Sequence, residues 1–191
     1  MTCRYEFDPE AHEVTSVDRR WSCPHEQHPT SDYCPFHMAP DERAAAGIST
    51  AKLTESLIGK LKSDAESARA FIGAHLPRLD LEYIDIESDD QHPVDLRHST
   101  VGGLVADNCT FENGVLCAGT RFTDAVGWLE ATVTGDDTDF TGAVFTREAI
   151  FDEVEFANDV RFTNAAFNAE ASFEATQFYG RSNETGDNTT F

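Results

Sequence analysis

The chain of 191 residues is strongly acidic, with 35 Asp and Glu against 14 Lys and Arg and a formal net charge of −21 at pH 7. Contacts to nucleic-acid phosphates require clustered Lys and Arg, so we expect no direct nucleic-acid binding. An acidic, lysine-poor surface is typical of adaptation to molar salt, and we favour this halophilic interpretation. Mimicry of a polyanion is the alternative.

The beginning of the chain shows no export signal, because Met1 to Pro9 is polar. No apolar run approaches the roughly 18 residues of a membrane span. We therefore expect a soluble, cytoplasmic protein that makes no contact with a membrane.

Residues 1–40 contain four potential metal ligands, Cys3, Cys23, Cys34 and His37. The last two form a C-x-x-H turn, a spacing that lets two ligands reach one tetrahedral ion, and Cys₃His is a standard set for structural zinc. A segment this short with few aliphatic residues needs such a crosslink, because it cannot form a core of its own. We predict that residues 1–40 bind a structural Zn²⁺ ion through these four side chains, with Trp21 and Phe36 packed around it.

Alternatives remain open at this site. His25 or His28 can replace His37 or Cys3 as a ligand, and three thiols in a reducing cytoplasm can also be small buried hydrophobic groups. A catalytic zinc is not expected, because protein fills all four positions and no H-E-x-x-H motif is present.

Residues 41–70 are predicted to form a helical cap. Apolar side chains recur at helical spacing from Ile48 to Leu61, and Ser49 or Thr50 can cap the start of the helix. A repeat structure needs its first unit covered, so we expect this helix to lie on Phe71, Ile72 and Leu76.

Phenylalanine recurs at alternating steps of five and six residues in the second half of the chain. The series is Phe140, Phe145, Phe151, Phe156, Phe162, Phe167, Phe173 and Phe178. A small or β-branched residue stands two positions before each member. After one step of seven residues, the alternation continues upstream through Trp128 and Phe122 to Phe111, and strict steps of five then lead to Phe71. Neither a helix nor an ordinary strand gives this period, whereas a solenoid of short stacked units does.

These units resemble the pentapeptide-repeat proteins, as in Leu79-Asp80-Leu81, Val94-Asp95-Leu96 and Thr138-Asp139-Phe140. The resemblance implies an all-β solenoid over residues 71–180, a right-handed quadrilateral parallel β-helix of about five coils with one unit per side. Four sides per coil predict that Phe178 lies over Phe156, Val133 and Phe111, and that the other aromatic residues stack in the same way. The extra residue of each six-residue unit is expected to bulge at a corner.

Three local expectations follow from the repeat. Cys109 and Cys117 occupy inward positions, so we expect them to be buried, reduced and inert. The unit around Gln91 lacks apolar residues and is predicted to be a loop. Residues 181–191 are predicted to be a polar, flexible tail that does not seal the last coil, which suggests an end-to-end homodimer through that coil.

No catalytic motif accompanies the repeats, so we expect a non-catalytic scaffold that presents an acidic surface to an unknown protein partner. The alternative, implied by resemblance to the quinolone-resistance branch of the family, is a DNA mimic that binds DNA gyrase. Asp80, Asp85, Asp95, Asp139 and Glu155 fall on successive predicted sides. Such scatter favours salt adaptation over mimicry.

Overall fold

The computed structural model describes residues 1–63, 68–87 and 92–180 of the chain. A short antiparallel pair, β1 (Glu6–Phe7) and β2 (Trp21–Ser22), belongs to residues 1–40, which we call the first segment. Two helices follow, α1 (Pro40–Ala45) and α2 (Thr50–Leu61). The remaining strands are parallel: β3 (His75–Asp80), β4 (Asp85–Ile86), β5 (Val94–Asp95), β6 (Thr100–Val105), β7 (Thr110–Phe111), β8 (Val115–Leu116), β9 (Arg121–Phe122), β10 (Val126–Gly127), β11 (Thr132–Val133), β12 (Thr138–Asp139), β13 (Val144–Phe145), β14 (Ala149–Ile150), β15 (Glu155–Phe156), β16 (Val160–Arg161), β17 (Ala166–Phe167), β18 (Ala171–Ser172) and β19 (Gln177–Phe178).

The parallel strands form a four-sided solenoid of about five coils, as predicted. Side I contains β9, β13 and β17, and side II contains β10, β14 and β18; the longer strands β3 and β6 run across both. Side III contains β4, β7, β11, β15 and β19, and side IV contains β5, β8, β12 and β16. Each short strand pairs only with the coil before and after it, so the solenoid is held together by stacking between coils.

The predicted aromatic ladders are confirmed. Phe178 pairs in register with Phe156, which pairs with Val133 and then with Phe111. On side I, Phe122, Phe145 and Phe167 stack with ring centroids 5.0 and 4.7 Å apart. Phe140 and Phe162 stack at 4.9 Å, and Phe151 and Phe173 at 5.1 Å. Burial of each aromatic side chain contributes about 1.5–3 kcal/mol before conformational entropy is subtracted.

Two kinds of corner explain the alternation of five and six residues. After sides IV and II, the second residue beyond the inward one has a positive φ, at Gly73, Tyr83, His98, Asn108, Gly119, Glu130, Gly142, Glu153, Asn164 and Ala175. The extra residue lies at the other corners, as in the exposed segment Thr146–Glu148. It therefore bulges outside the core, as the repeat pattern predicts.

The coil that contains the atypical unit is longer than the others. Leu76 pairs with Val101, and Ile86 with Phe111, each across 25 residues, whereas the next step on side I, from Val101 to Phe122, is 21. One additional unit therefore lies between Ile86 and Val94. Of the predicted loop, residues 88–93, positions 88–91 fall outside the described residues, and His92 and Pro93 belong to no strand.

The amino-terminal end of the solenoid is covered by α2, whose start is capped by the Ser49 side chain accepting from the Lys52 amide at 3.3 Å. Leu53, Leu57 and Leu61 are buried in one core cluster with Phe71 and Leu76. The prediction that Ile72 also packs under this helix is wrong. Ile72 belongs to a separate cluster with Phe7 and Val17, because its side chain lies on the outside of side IV, where the first segment packs.

The other end of the solenoid is formed by the aromatic side chains of the last coil. Phe167, Phe173 and Phe178 are only half-buried, whereas Phe162, one side earlier, is buried. The predicted polar tail, residues 181–191, lies outside the described part of the chain. Among the described residues, neither helix has the length and apolarity that a bilayer crossing requires.

Candidate metal centre

Antiparallel pairing in the first segment brings two of the four predicted ligands together. The Cys3 amide donates to the His25 carbonyl oxygen at 2.8 Å, and the Cys23 amide donates to the Tyr5 carbonyl oxygen at 2.9 Å. Cys3 and Cys23 therefore lie on adjacent segments that β1 and β2 hold in register.

The other two ligands share one turn. The His37 amide donates to the Cys34 carbonyl oxygen at 2.9 Å, which closes the C-x-x-H segment and places both side chains on the same side. Sγ of Cys34 lies 3.2 Å from Nδ1 of His37 and 3.7 Å from Sγ of Cys23. The Cys34 amide donates to Sγ of Cys3 at 3.1 Å, a contact that favours a thiolate at Cys3 once a metal is bound.

All four ligand atoms lie within 4.8 Å of one another, and all four residues are buried. Three sulfurs and one imidazole nitrogen in a closed pocket match the donor set and the coordination number of structural zinc. Because four protein ligands leave no open position, the arrangement suits a structural rather than a catalytic ion.

The two histidines left open by the sequence are not part of the four-residue cluster, and their ring nitrogens contact other groups. Nε2 of His25 lies 2.9 Å from the Ala70 carbonyl oxygen, and its ring stacks on Phe71. Nδ1 of His28 lies 2.9 Å from the Thr30 hydroxyl. Burial lowers the pKa of His25, so this side chain is neutral at pH 7 and is a core residue at the junction with the solenoid.

A second layer of contacts orients His37. Nε2 of His37 lies 3.0 Å from the Ile72 carbonyl oxygen, so this nitrogen carries the proton and Nδ1 is left free to bind a metal. The Tyr5 ring stacks on the imidazole with centroids 4.0 Å apart and planes inclined by 15°. Trp21 lies 6.0 Å from the same imidazole, and Phe36 packs on His25 and Phe71. Trp21 therefore lies next to the cluster, as expected, whereas the ring contacts of Phe36 are to residues at the junction with the solenoid and not to a ligand.

The sulfurs differ in their affinity for protons. A hydrogen bond from the Cys23 thiol lowers the pKa of Cys34 to about 4. The same hydrogen bond, together with burial, raises the pKa of Cys23. Burial raises the pKa of Cys3. The metal-free cluster therefore holds one thiolate and two thiols at neutral pH.

The cluster is joined to the first coil by several contacts besides His37. The His75 amide, on β3, donates to the Phe36 carbonyl oxygen at 2.8 Å, so the first segment covers the outer edge of β3. The buried Arg43 guanidinium donates to the Met38 carbonyl oxygen at 3.0 Å and also to that of His75. The metal cluster thus lies where the first segment meets the solenoid.

Sequence reasoning did not identify Tyr5 or Gly73 as parts of the site. Gly73 has a φ of +69°, and a Cβ atom there would lie 2.0 Å from the Tyr5 hydroxyl oxygen. Glycine is therefore required where the first coil passes the ring that stacks on His37. A lone tyrosine and a turn glycine carry no spacing signal, so only the packing of distant segments reveals them.

The two remaining cysteines lie inside the solenoid, as predicted. Burial raises the pKa of Cys109 to about 12 and also raises that of Cys117. The Cys109 thiol donates to the Ile84 carbonyl oxygen at 2.8 Å. Both thiols are far less ionised than an exposed cysteine, so neither is expected to react.

Comparison with known protein families matches residues 130–177 to the model described as pentapeptide repeats (9 copies). Comparisons with curated proteins and with solved structures give no match. The matched segment lies within the last three coils and follows the register of the aromatic ladders. Residues 130–177 therefore match pentapeptide repeats, and they form part of the four-sided solenoid.

Proposed function

We propose that the chain is a non-catalytic scaffold that binds a protein partner through an acidic half of its solenoid. The uneven distribution of charge over the four sides is the observation that carries this proposal. On each side, the residues before and after the inward residue of every coil flank the core and line the outer surface.

Sides II and III form the acidic half. Their flanking positions hold nine carboxylates and no Lys or Arg: Asp80, Glu82, Asp107, Asp152, Glu174, Asp85, Glu87, Glu112 and Glu155. The corner after side II adds Glu130 and Glu153. Sides II and III are adjacent, so the acidic surface is continuous around the edge of the rod that they share.

Sides IV and I form the opposite, nearly neutral half. The flanking positions of side I hold no carboxylate, and those of side IV hold two, Asp95 and Asp139. Both are paired with arginine, Asp95 with Arg97 at 2.6 Å and Asp139 with Arg161 at 3.9 Å. This distribution is less even than the five positions noted in the sequence indicate, and adaptation to salt does not require it.

Some of the carboxylates also stabilise the solenoid. Oδ1 of Asp107 accepts from the Leu129 amide at 3.0 Å, and Oδ1 of Asp152 accepts from the Glu174 amide at 2.8 Å. These contacts link consecutive coils at the corner after side II. In contrast, Glu112 and Glu155 on side III are exposed, and their carboxylates make no hydrogen bond or ion pair with other described residues. They are therefore the better probes of partner binding.

The test compares Glu112→Gln/Glu155→Gln with Glu10→Gln/Glu26→Gln, which removes the same charge from exposed positions of the first segment. Partners captured by in-cell crosslinking to the wild-type chain are identified by mass spectrometry. We expect the first variant to lose its main partner and the second to retain it. Equal partner sets for all three proteins would overturn the proposal.

Modulation of DNA gyrase is a second candidate, because a continuous carboxylate surface along a rod can imitate the charge of a duplex. Inhibition of supercoiling is measured with a salt-tolerant gyrase at high potassium chloride. Stoichiometric inhibition that the Glu112→Gln/Glu155→Gln variant loses would support DNA mimicry. Absence of inhibition by folded protein leaves the scaffold without this target.

We also propose that the Cys3, Cys23, Cys34 and His37 cluster binds a structural Zn²⁺ ion. The donor set, its burial and the anchored His37 tautomer support this role. Three thiols kept reduced suit a cytoplasmic location. Inductively coupled plasma measurement on protein purified without added metal is expected to give one zinc per chain, and a value near zero after zinc addition would contradict the proposal.

The half-buried aromatic side chains of the last coil support a further proposal, an end-to-end homodimer through this coil. Phe167 stacks on Phe145 of the preceding coil and is only half-buried, so a second copy of the chain can pack against this end of the solenoid.

A further inference from the structure

Cys23 and Cys34 bring two sulfur atoms of the cluster into contact. Their Sγ atoms lie 3.7 Å apart, in contact but not bonded, and all five cysteines of the chain are free. A disulfide requires an approach to about 2.05 Å, which is a small movement for two side chains. The two sulfurs come from different segments, one following β2 and the other starting the turn that ends at His37.

We propose that the cluster is a redox-controlled lock, in which a peroxide oxidises Cys23 and Cys34 to a disulfide, expels the metal and loosens the attachment of the first segment to the solenoid. This inference rests on the structural-zinc proposal made above.

The chemistry balances with hydrogen peroxide as the oxidant. The two thiolates lose two electrons and form one S–S bond. The peroxide O–O bond breaks, and its oxygens take up two electrons and two protons to give two molecules of water. Zinc has no redox chemistry of its own, so it leaves unchanged once two of its four ligands are consumed. Cys3 and His37 remain and are too few to hold the ion.

The consequence for the fold follows from which segments each crosslink joins. The metal connects three pieces of the first segment, those containing Cys3, Cys23 and the Cys34–His37 turn. A disulfide connects only the last two pieces, and it leaves His37 with no metal to bind. The same turn provides the Phe36 carbonyl oxygen that covers the edge of β3, so oxidation is expected to expose this edge.

The interior cysteines provide an internal control. Cys109 and Cys117 are buried on inward positions of the solenoid, and the Cys109 thiol is hydrogen-bonded to the Ile84 carbonyl oxygen. Neither belongs to the metal cluster. Oxidation is therefore expected to consume two of the five thiols and to leave the other three reduced. Because the cluster sulfurs are also buried, we expect the reaction to be slower than that of an exposed thiol.

The experiment uses the full chain loaded with zinc and treated with hydrogen peroxide. Released zinc is followed with a chromophoric chelator, free thiols are counted, and the disulfide is mapped by peptide mass spectrometry. Hydrogen exchange of His75–Asp80 reports the edge of β3. We expect one zinc released per two thiols lost, a Cys23–Cys34 peptide link and faster exchange in β3. Addition of dithiothreitol and zinc should reverse the zinc release, the thiol loss, the peptide link and the faster exchange.

Two variants that each remove one ligand separate disulfide formation from weakened metal binding. Cys3→Ser keeps the reactive pair, so it is expected to form the same Cys23–Cys34 link. Cys23→Ser loses the pair and is expected to form no such link at the same peroxide dose. A disulfide that contains Cys3 in the wild-type chain would overturn the inference.

The zinc content measured before peroxide distinguishes the two proposals. Absence of zinc from the reduced, zinc-treated chain overturns the structural-zinc proposal and the lock together. One zinc per chain that remains bound while all five thiols persist overturns the lock alone.

Discussion

Nε2 of His37 lies 3.0 Å from the Ile72 carbonyl oxygen, so the imidazole that faces the three sulfurs is also hydrogen-bonded to the first coil. This contact fixes the tautomer with Nδ1 unprotonated, as metal-bound histidines require. A metal bound at the cluster would be coupled to the solenoid through this contact, because a change at the cluster alters the contact with residue 72. Metal removal should therefore affect the first coil as well as the first segment.

Removal of the metal is expected to destabilise the protein only when the metal-binding side chains are intact. In the wild-type chain, a strong chelator should lower the unfolding free energy of the first segment by about 3 kcal/mol or more, since metal binding free energy becomes folding free energy. Near-ultraviolet circular dichroism of Trp21 and thermal unfolding report this change. Cys34→Ser should be unstable at the start and insensitive to chelator, whereas Cys117→Ala should keep the full response. A wild-type chain that ignores the chelator would contradict the prediction.

Metal loading is expected to release protons. The metal-free cluster at neutral pH holds protons on Cys23 and Cys3, whose pKa values are raised, while the lowered pKa of Cys34, about 4, leaves it ionised. Binding needs all three thiolates, so about two protons should leave per zinc at pH 7. Calorimetry in buffers of different ionisation enthalpy measures this number. In Cys23→Ser it should fall by about one.

The repeat period predicts the fold well because it is a local signal repeated many times. Phe145 and Phe167 stack as expected, since each unit fixes which residues point inward and four units close a coil. The cysteine and histidine spacings likewise indicated the residues that the fold brings together. In contrast, the role of Ile72 was assigned incorrectly, because an apolar residue next to an inward phenylalanine looks like core even when it packs against a separate segment.

The parts of the site that sequence did not reveal depend on contacts between distant segments or on backbone atoms. The Ile72 carbonyl oxygen has no residue identity to recognise, and Tyr5 and Gly73 meet only because the first segment folds back on the first coil. The charge asymmetry is also invisible until strands are assigned to sides, because acidic residues alternate along the chain and separate only in the four-sided structure.

Gly73→Ala is expected to destabilise the protein by more than Gly142→Ala. Both glycines have positive φ, +69° and +64°, so each substitution introduces backbone strain of about 1–3 kcal/mol. Only at Gly73 does the new Cβ collide with a side chain, because the Tyr5 ring is held against His37 and cannot move freely. Denaturant unfolding measures both changes.

A double-mutant cycle tests the cause of the Gly73→Ala effect. Tyr5→Phe removes the hydroxyl oxygen that lies closest to the new Cβ, so it should recover part of the unfolding free energy that Gly73→Ala loses. The double variant should therefore be more stable than the sum of the two single changes predicts. The same Tyr5→Phe change should not rescue Gly142→Ala, which has no atom within 4 Å of its Cβ position. Equal effects of the two alanine substitutions would show that Tyr5 is not the obstacle.

His98 is expected to make stability depend on pH. Burial lowers the pKa of His98, and the neighbouring charges of Arg97 and His12 lower it further. The unfolded chain takes up this proton near pH 6.5, whereas the folded chain does so only at lower pH. The stabilising contribution is therefore complete above about pH 6.5 and is lost as the pH falls through the folded pKa.

His98→Asn tests this assignment, because asparagine does not titrate and tolerates the left-handed backbone at this position, where φ is 57°. The variant loses the 2.6 Å contact with the Ser16 hydroxyl, so it should be less stable at pH 8. Its stability should decline less than that of the wild type between pH 7 and pH 5.

The end-to-end dimer predicts that association depends on the last coil and increases with salt. Each copy carries a net charge of −21, so screening of repulsion at molar potassium chloride should favour pairing. Light scattering during gel filtration should give about twice the 21.1 kDa of one chain. Phe167→Glu places a charge on the half-buried end and should yield a monomer with an intact solenoid by circular dichroism. Tyr179→Glu adds the same charge to a side chain that is 56% exposed, and it should leave the dimer in place. A wild-type monomer at every concentration and salt would show that another contact covers these rings.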